Sequence, residues 1–217
     1  MCFNLETSLI TFLVSLCVSY ALYKRGQKND LIIMTFILCY NIVQLGEFLI
    51  WLAIKYKNKK LNRFGTLLLT ISLISQPMSI MIGSYYDIGS KNKTFGTLLL
   101  INVIYIVYNL YEIFKEFYDE KSNITYTSYP HKKYKNLVWD NNIDIPYFFG
   151  FILCIISVLI LLKPTLLAII CGAYYSFLAI VVYFKSNVIF QSVWCWISSV
   201  SSIVIYFINY YVNKYNN

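Results

Sequence analysis

The chain has 217 residues, of which 59% are hydrophobic and only 13% charged. A water-soluble domain carries roughly 25% charged residues, and a soluble fold this apolar would expose patches that aggregate, so the composition is that of an integral membrane protein. The net charge of +8 does not point to nucleic acid, because the charges fall in short loops between apolar runs, where lysines face anionic lipid.

A bilayer core requires about 20 apolar residues per helix. Seven stretches meet or approach that length, at 5–23, 31–55, 64–86, 94–117, 147–162, 164–184 and 189–212. They predict an all-α, seven-helix transmembrane bundle forming a single domain over 1–217.

The first stretch follows the opening MCFNLETSLI. A secretory signal would place positive charge ahead of its apolar run. Here the first charge is Glu6, so Cys2 is expected to stay, as a passive residue or as a thiol at the membrane surface. Asn4, Ser8, Thr11, Ser15 and Ser19 recur every three or four residues and share one helix face. Small residues and hydroxyls on such a face allow membrane helices to approach closely.

On the second stretch Tyr40, Gln44 and Glu47 share a face with Trp51. Glu47 lies about two turns from the helix end. An uncompensated carboxylate at that depth is costly, so it must be protonated, paired or facing water. It reads either as a protonated side chain bonded to a neighbouring helix, or as a proton carrier, cation ligand or general acid/base. The third stretch carries Ser72, Ser75, Gln76 and Ser79, and the fourth carries Asn102, Tyr105, Asn109 and Glu112.

The loop 118–146 is the only long one, and a surface helix is expected there over 134–139. It holds His131, the single histidine, which in a lysine-rich loop is ordinarily solvated. Lys163-Pro164 alone separates the fifth and sixth stretches, so one re-entrant hairpin is the alternative to two crossings. The seventh carries Gln191, Ser192, Trp194, Cys195, Ser198, Ser199 and Ser202.

Seven alternating crossings would place Cys2, Glu6, Glu47, Glu112, Gln191 and Cys195 in one leaflet, with His131 in a loop on that side. Lysines are denser in the loops of that side, including Lys55, Lys57, Lys59 and Lys60, which predicts a cytosolic N-terminus and an outside C-terminus. Glycosylation sequons at Asn92 and Asn123 fall on opposite sides and are read as chance matches. None of the six cysteines forms a CxxC pair, which argues against a disulfide framework or a zinc knuckle.

Three functions fit these residues. The first is a carrier or channel for a small solute, cation or proton, with Glu47 as the charge-bearing group and Gln44, Glu112, Gln76, Asn109, Tyr40 and Trp51 along its pathway. The second is an intramembrane enzyme or redox protein. Loss of Met1 would leave the amine and thiol of Cys2 near Glu6, Glu47, His131, Trp194 and Cys195, as nucleophile and base or as ligands to a soft metal such as Cu(I). The third is a sensor or assembly protein without turnover. No HExxH or GxSxG signature appears, so transport is placed first and enzyme status stays open. No other cofactor is expected; a retinal Schiff base is excluded because 189–212 contains no lysine. The expected partners are the lipid bilayer, a small solute or cation, and a second copy of the chain in a homo-oligomer.

The Met1-Cys2-Phe3 start, the Gln44-Leu-Gly-Glu47 stretch with Trp51, and Trp194-Cys195 resemble a widespread family of uncharacterised multi-pass membrane proteins from bacteria, eukaryotes and giant viruses. Its members typically open Met-Cys-Phe-Ser; this chain has Asn4 in place of that Ser, and Gly46 before Glu47 instead of after it. The resemblance implies a shared site at Cys2, Gln44, Glu47, Trp51, Trp194 and Cys195, with no activity attached. The wealth of Lys, Asn, Ile and Tyr, all with A/T-rich codons, is similar to that of giant-virus proteins.

Overall fold

The computed structural model describes residues 4–88, 93–118, 127–130, 137–139, 144–185 and 190–216, without side chains at 88, 139, 144–147, 175, 178–199 and 216. The described chain is an all-α bundle of seven helices. They are α1 (Leu5–Arg25), α2 (Asp30–Lys55), α3 (Lys59–Ile88), α4 (Lys93–Tyr118), α5 (Asp144–Leu161), α6 (Thr165–Lys185) and α7 (Phe190–Asn216), with one short hairpin between α4 and α5. The helices α1 to α4 are each long and apolar enough to cross a membrane. The turn at Leu162–Pro164 separates α5 and α6, which pack against each other as distinct helices.

The core of the bundle is apolar, but two of its outer helices bury polar faces and expose apolar ones. On α1 the side chains of Ser8, Thr11, Ser15 and Ser19 are buried while Ile10, Leu13, Leu16 and Tyr20 are exposed. The face that the spacing picks out is the packed face, and Asn4 starts the helix by accepting the Thr7 N–H at 2.8 Å. In lipid the apolar side needs no cover, so close-packing small residues and hydrogen bonds select the interior. The same inversion holds on α4, where Asn102 and Asn109 are buried and Leu100, Ile104, Val107 and Tyr108 are exposed.

The spine is the antiparallel pair α2–α3. Gly46 and Gly65 meet near one end, where a Cβ added to Gly46 would lie 2.9 Å from Leu69 Cβ and 3.0 Å from the Gly65 carbonyl oxygen. Near the other end a Cβ on Gly83 would come within 2.6 Å of Ile32 Cα. Between them the Thr35 hydroxyl donates to the Ser79 carbonyl at 2.7 Å, and the hydroxyl of Ser72 donates to the Cys39 carbonyl. The helices α2, α3, α5, α6 and α7 form a ring in which each packs on the next and α7 returns to α2. Outside the ring, α1 lies against α2 and α7, and α4 against α3 and α5.

The long loop departs from the expected surface helix over 134–139. Leu137–Trp139 is a strand (β2) paired antiparallel with Ser128–Pro130 (β1), with Tyr129 opposite Val138; 134–136 lie outside the described residues. One isolated helical turn fixes several dihedrals for a single hydrogen bond, whereas the hairpin is anchored onto α3. Asn62 accepts the Ser128 N–H and donates to the Ser128 carbonyl, both at 2.8 Å, and Leu137 is buried.

Candidate functional site

Contacts at the two ends establish which residues share a side. At the N-terminal end Thr11 meets Gln44, Gly46 meets Gly65, and Arg63 donates to the Phe117 carbonyl at the end of α4. Glu6, Glu47 and Glu112 therefore stand at one end of the bundle. Their surroundings differ.

Glu47 and Gln44 are wholly buried on α2, and Tyr40 is 5% exposed. Thr11 Oγ1 lies 2.8 Å from Gln44 Oε1, 2.9 Å from the Thr7 carbonyl oxygen and 3.0 Å from that of Ser8, so three acceptors compete for its one proton. Tyr40 packs edge-on against Phe36, with ring centroids 5.6 Å apart. Trp51 packs against the main apolar core. Glu6 is exposed in the first turn of α1, where a carboxylate complements the helix dipole.

Glu112 stands on α4, outside the ring; its side chain is 37% exposed and lies 3.7 Å from Lys115. Asn109 and Asn102 turn their amides back onto their own helix, donating to the carbonyls of Tyr105 at 2.7 Å and Leu98 at 2.8 Å. The structure thus groups Tyr40, Gln44 and Glu47 along α2, sets Gln76 near Tyr40 on the wall of one cavity, and leaves Glu112 and Asn109 on a peripheral helix. Cys2, His131, Asn92 and Asn123 lie outside the described residues, as do the side chains of Gln191, Trp194 and Cys195.

A second polar centre, at the opposite end, was not singled out by the sequence reading. Arg25, in the last turn of α1, donates to Asp30 through Nε at 2.9 Å and Nη2 at 2.6 Å, the two-pronged geometry that a guanidinium and a carboxylate favour. Its Nη1 donates to the Tyr206 carbonyl at 3.1 Å, and the guanidinium lies over the Tyr206 ring, 4.2 Å from its centroid. Asp30 is wholly buried and also accepts from the Gln27 N–H at 2.8 Å and from Asn209 Nδ2 at 2.7 Å.

Asn29, at φ 67 in the left-handed region that Asn tolerates, extends the network. Its backbone N–H donates to Asp87 at 2.9 Å, and its side chain accepts from the Lys163 N–H at 3.1 Å while donating to the Lys163 carbonyl. Asn213 donates to the Lys28 carbonyl at 3.1 Å. The connection between α1 and α2 is thereby tied to α3, to the α5–α6 turn and to α7. The signals in sequence were slight: a basic and an acidic residue five apart, and two asparagines at helical spacing on α7.

The fold and these centres define a class, a membrane-embedded helical bundle with a buried carboxyl near one end and an ion-paired network at the other. No family model, no curated protein and no solved structure matches the chain.

Proposed function

We propose that the protein is a carrier or channel for a small solute, cation or proton, with Glu47 as its charge-bearing group and Gln44 and Tyr40 beside it. The observation that supports this reading is the placement of a fully buried carboxyl on the α2 face that, two turns away, contributes Tyr40 to the cavity inside the ring. Seven residues separate Tyr40 and Glu47, which is about 10 Å along the helix. Ionisable groups at membrane depth that face a bundle interior are the usual markers of such pathways. In this reading Gln44, Glu47 and Trp51 belong to the site that the family resemblance implies, together with Cys2, Trp194 and Cys195, and the N-terminus faces the cytosol.

Reconstituted liposomes test the proposal. Proton flux under an imposed potential, followed by uptake of a panel of cations and small neutral solutes, should exceed that of protein-free liposomes. Glu47→Gln keeps shape and hydrogen bonding, so it should retain the wild-type melting temperature while flux falls at least about tenfold, equivalent to about 1.4 kcal/mol in barrier. Wild-type flux in Glu47→Gln would overturn the role of the carboxyl. For orientation, Lys59→Cys should be protected from an impermeant thiol reagent in intact cells and Asn216→Cys should be labelled; the reverse pattern inverts the topology.

A further inference from the structure

The turn between α2 and α3 reads Lys55-Tyr-Lys-Asn-Lys-Lys-Leu-Asn-Arg63, five cations in nine residues with no carboxylate among them. Lys55 ends α2, and Lys59, Lys60 and Arg63 stand in the first turns of α3. Both helices are long and apolar enough to cross a membrane, so the cluster lies where they leave the hydrocarbon, at headgroup level. All five cationic residues are exposed. Tyr56, 67% exposed, and Phe64, 56% exposed, flank them as rings suited to that boundary.

The cluster has a fixed frame. Lys57, at φ 51, turns the chain. The N–H groups of Tyr56 and Asn58 donate back to the Leu52 and Ala53 carbonyls at 3.0 and 2.9 Å, and Asn58 Oδ1 accepts the Leu61 N–H at 3.1 Å. Arg63 is clasped to α4, its Nη2 donating to the Phe117 carbonyl at 2.7 Å and its guanidinium 3.9 Å from the Phe117 ring centroid. What the cluster lacks is countercharge. Among the described residues no carboxylate forms an ion pair with any of the five, whereas Arg25 has Asp30 and Lys115 has Glu112. Lys59 and Arg63 stand four residues apart on one helix, a spacing at which like charges repel.

We propose that this turn binds the headgroup of an anionic phospholipid in the adjoining leaflet. The lipid supplies the negative charge that the fold withholds, and its acyl chains lie along the apolar surface that begins at Phe64. A soluble anion would gain the charge contact without the apolar one. The exposed cations at the other end, Lys24, Lys28 and Lys163, come from separate segments and form no such cluster. The site does not rest on the reading of Glu47.

Native mass spectrometry of the full chain, released from uncharged detergent micelles, counts bound lipids and yields an apparent Kd for the first. Phosphatidylglycerol and phosphatidylcholine of one acyl composition both carry a phosphate, but only the second neutralises it with its own ammonium. Phosphatidylglycerol should bind about fivefold more tightly or better, the worth of one lysine near an anionic surface, and the preference should shrink as salt rises. Lys57→Gln with Lys59→Gln and Lys60→Gln should reduce it. Lys24→Gln with Lys28→Gln and Lys163→Gln removes the same charge at the other end and should leave it unchanged. Inorganic phosphate at matched ionic strength should not displace the lipid. Equal binding of the two lipids, a preference indifferent to salt or undiminished in the first triple variant, an equal loss in the second, or displacement by phosphate would each overturn the proposal.

Discussion

At one end of the bundle Asp30 receives two hydrogen bonds from Arg25, one from Asn209 and one from the Gln27 N–H. At the other end Glu47 is equally buried, one turn from Gln44, which meets Thr11 of α1. The Asp30 centre balances its charge inside the fold and joins segments far apart in sequence, so disturbing any member leaves another buried and unsatisfied. Near Glu47 the backbones of α2 and α3 come into close contact at Gly46 and Gly65. An ion pair with its lone pairs used locks helices together.

The largest expected effect breaks the locked end. Asp30→Asn leaves the Arg25 guanidinium buried without its counter-charge and should destabilise the protein by about 3–5 kcal/mol, read by chemical unfolding in detergent. Replacing both partners, Arg25→Met with Asp30→Leu, should recover part of that loss, because the unpaired buried charge is gone while the Gln27 N–H and Asn209 still lose their acceptor. If the double variant were no better than Asp30→Asn alone, the ion pair would not be the element that matters, and the contrast between the two ends would collapse.

Glycine substitutions come next and compare the two ends of the α2–α3 spine. A methyl group at Gly83 meets α2 backbone within 2.6 Å, whereas one at Gly46 meets the Leu69 side chain at 2.9 Å and the Gly65 carbonyl oxygen at 3.0 Å. Gly83→Ala should therefore cost more than Gly46→Ala, both within about 1–3 kcal/mol for overpacking. Melting temperatures of the two variants measure the order; a reversed order would show that α2 and α3 yield more easily near Asp30 than near Glu47.

The smallest effect sharpens the Glu47 end. Thr11→Val keeps the volume and removes the hydroxyl beside Gln44. Hydrogen bonds between membrane helices average about 0.6 kcal/mol, so a small drop in melting temperature is expected. A loss several times larger would mean that this end, too, is held by a coupled polar network.

Much of the scaffold was legible from local pattern. The helices begin and end close to the apolar runs, and the buried face of α1 is the one its Ser and Thr spacing marks, because both follow from helix periodicity and the bilayer's demand for satisfied backbone groups. Spacing could also bring Tyr40, Gln44 and Glu47 onto one face, since they lie on one helix.

It could not say which helices are neighbours. Glu47 and Glu112 look alike in sequence, yet one is sealed inside the packing of α2 and the other is partly exposed beside Lys115 on a peripheral helix. The partners of Arg25 and Asp30 on α7 lie about 180 residues away. Leu137–Trp139 became a strand because Asn62 on α3 offered its hairpin an anchor. The sequence by itself determined a membrane class, seven helices and the inward face of α1, since these depend on a residue and its near neighbours. The ring, its cavity and the pairing of each buried charge were decided by tertiary structure alone, because long-range packing chooses which polar group meets which.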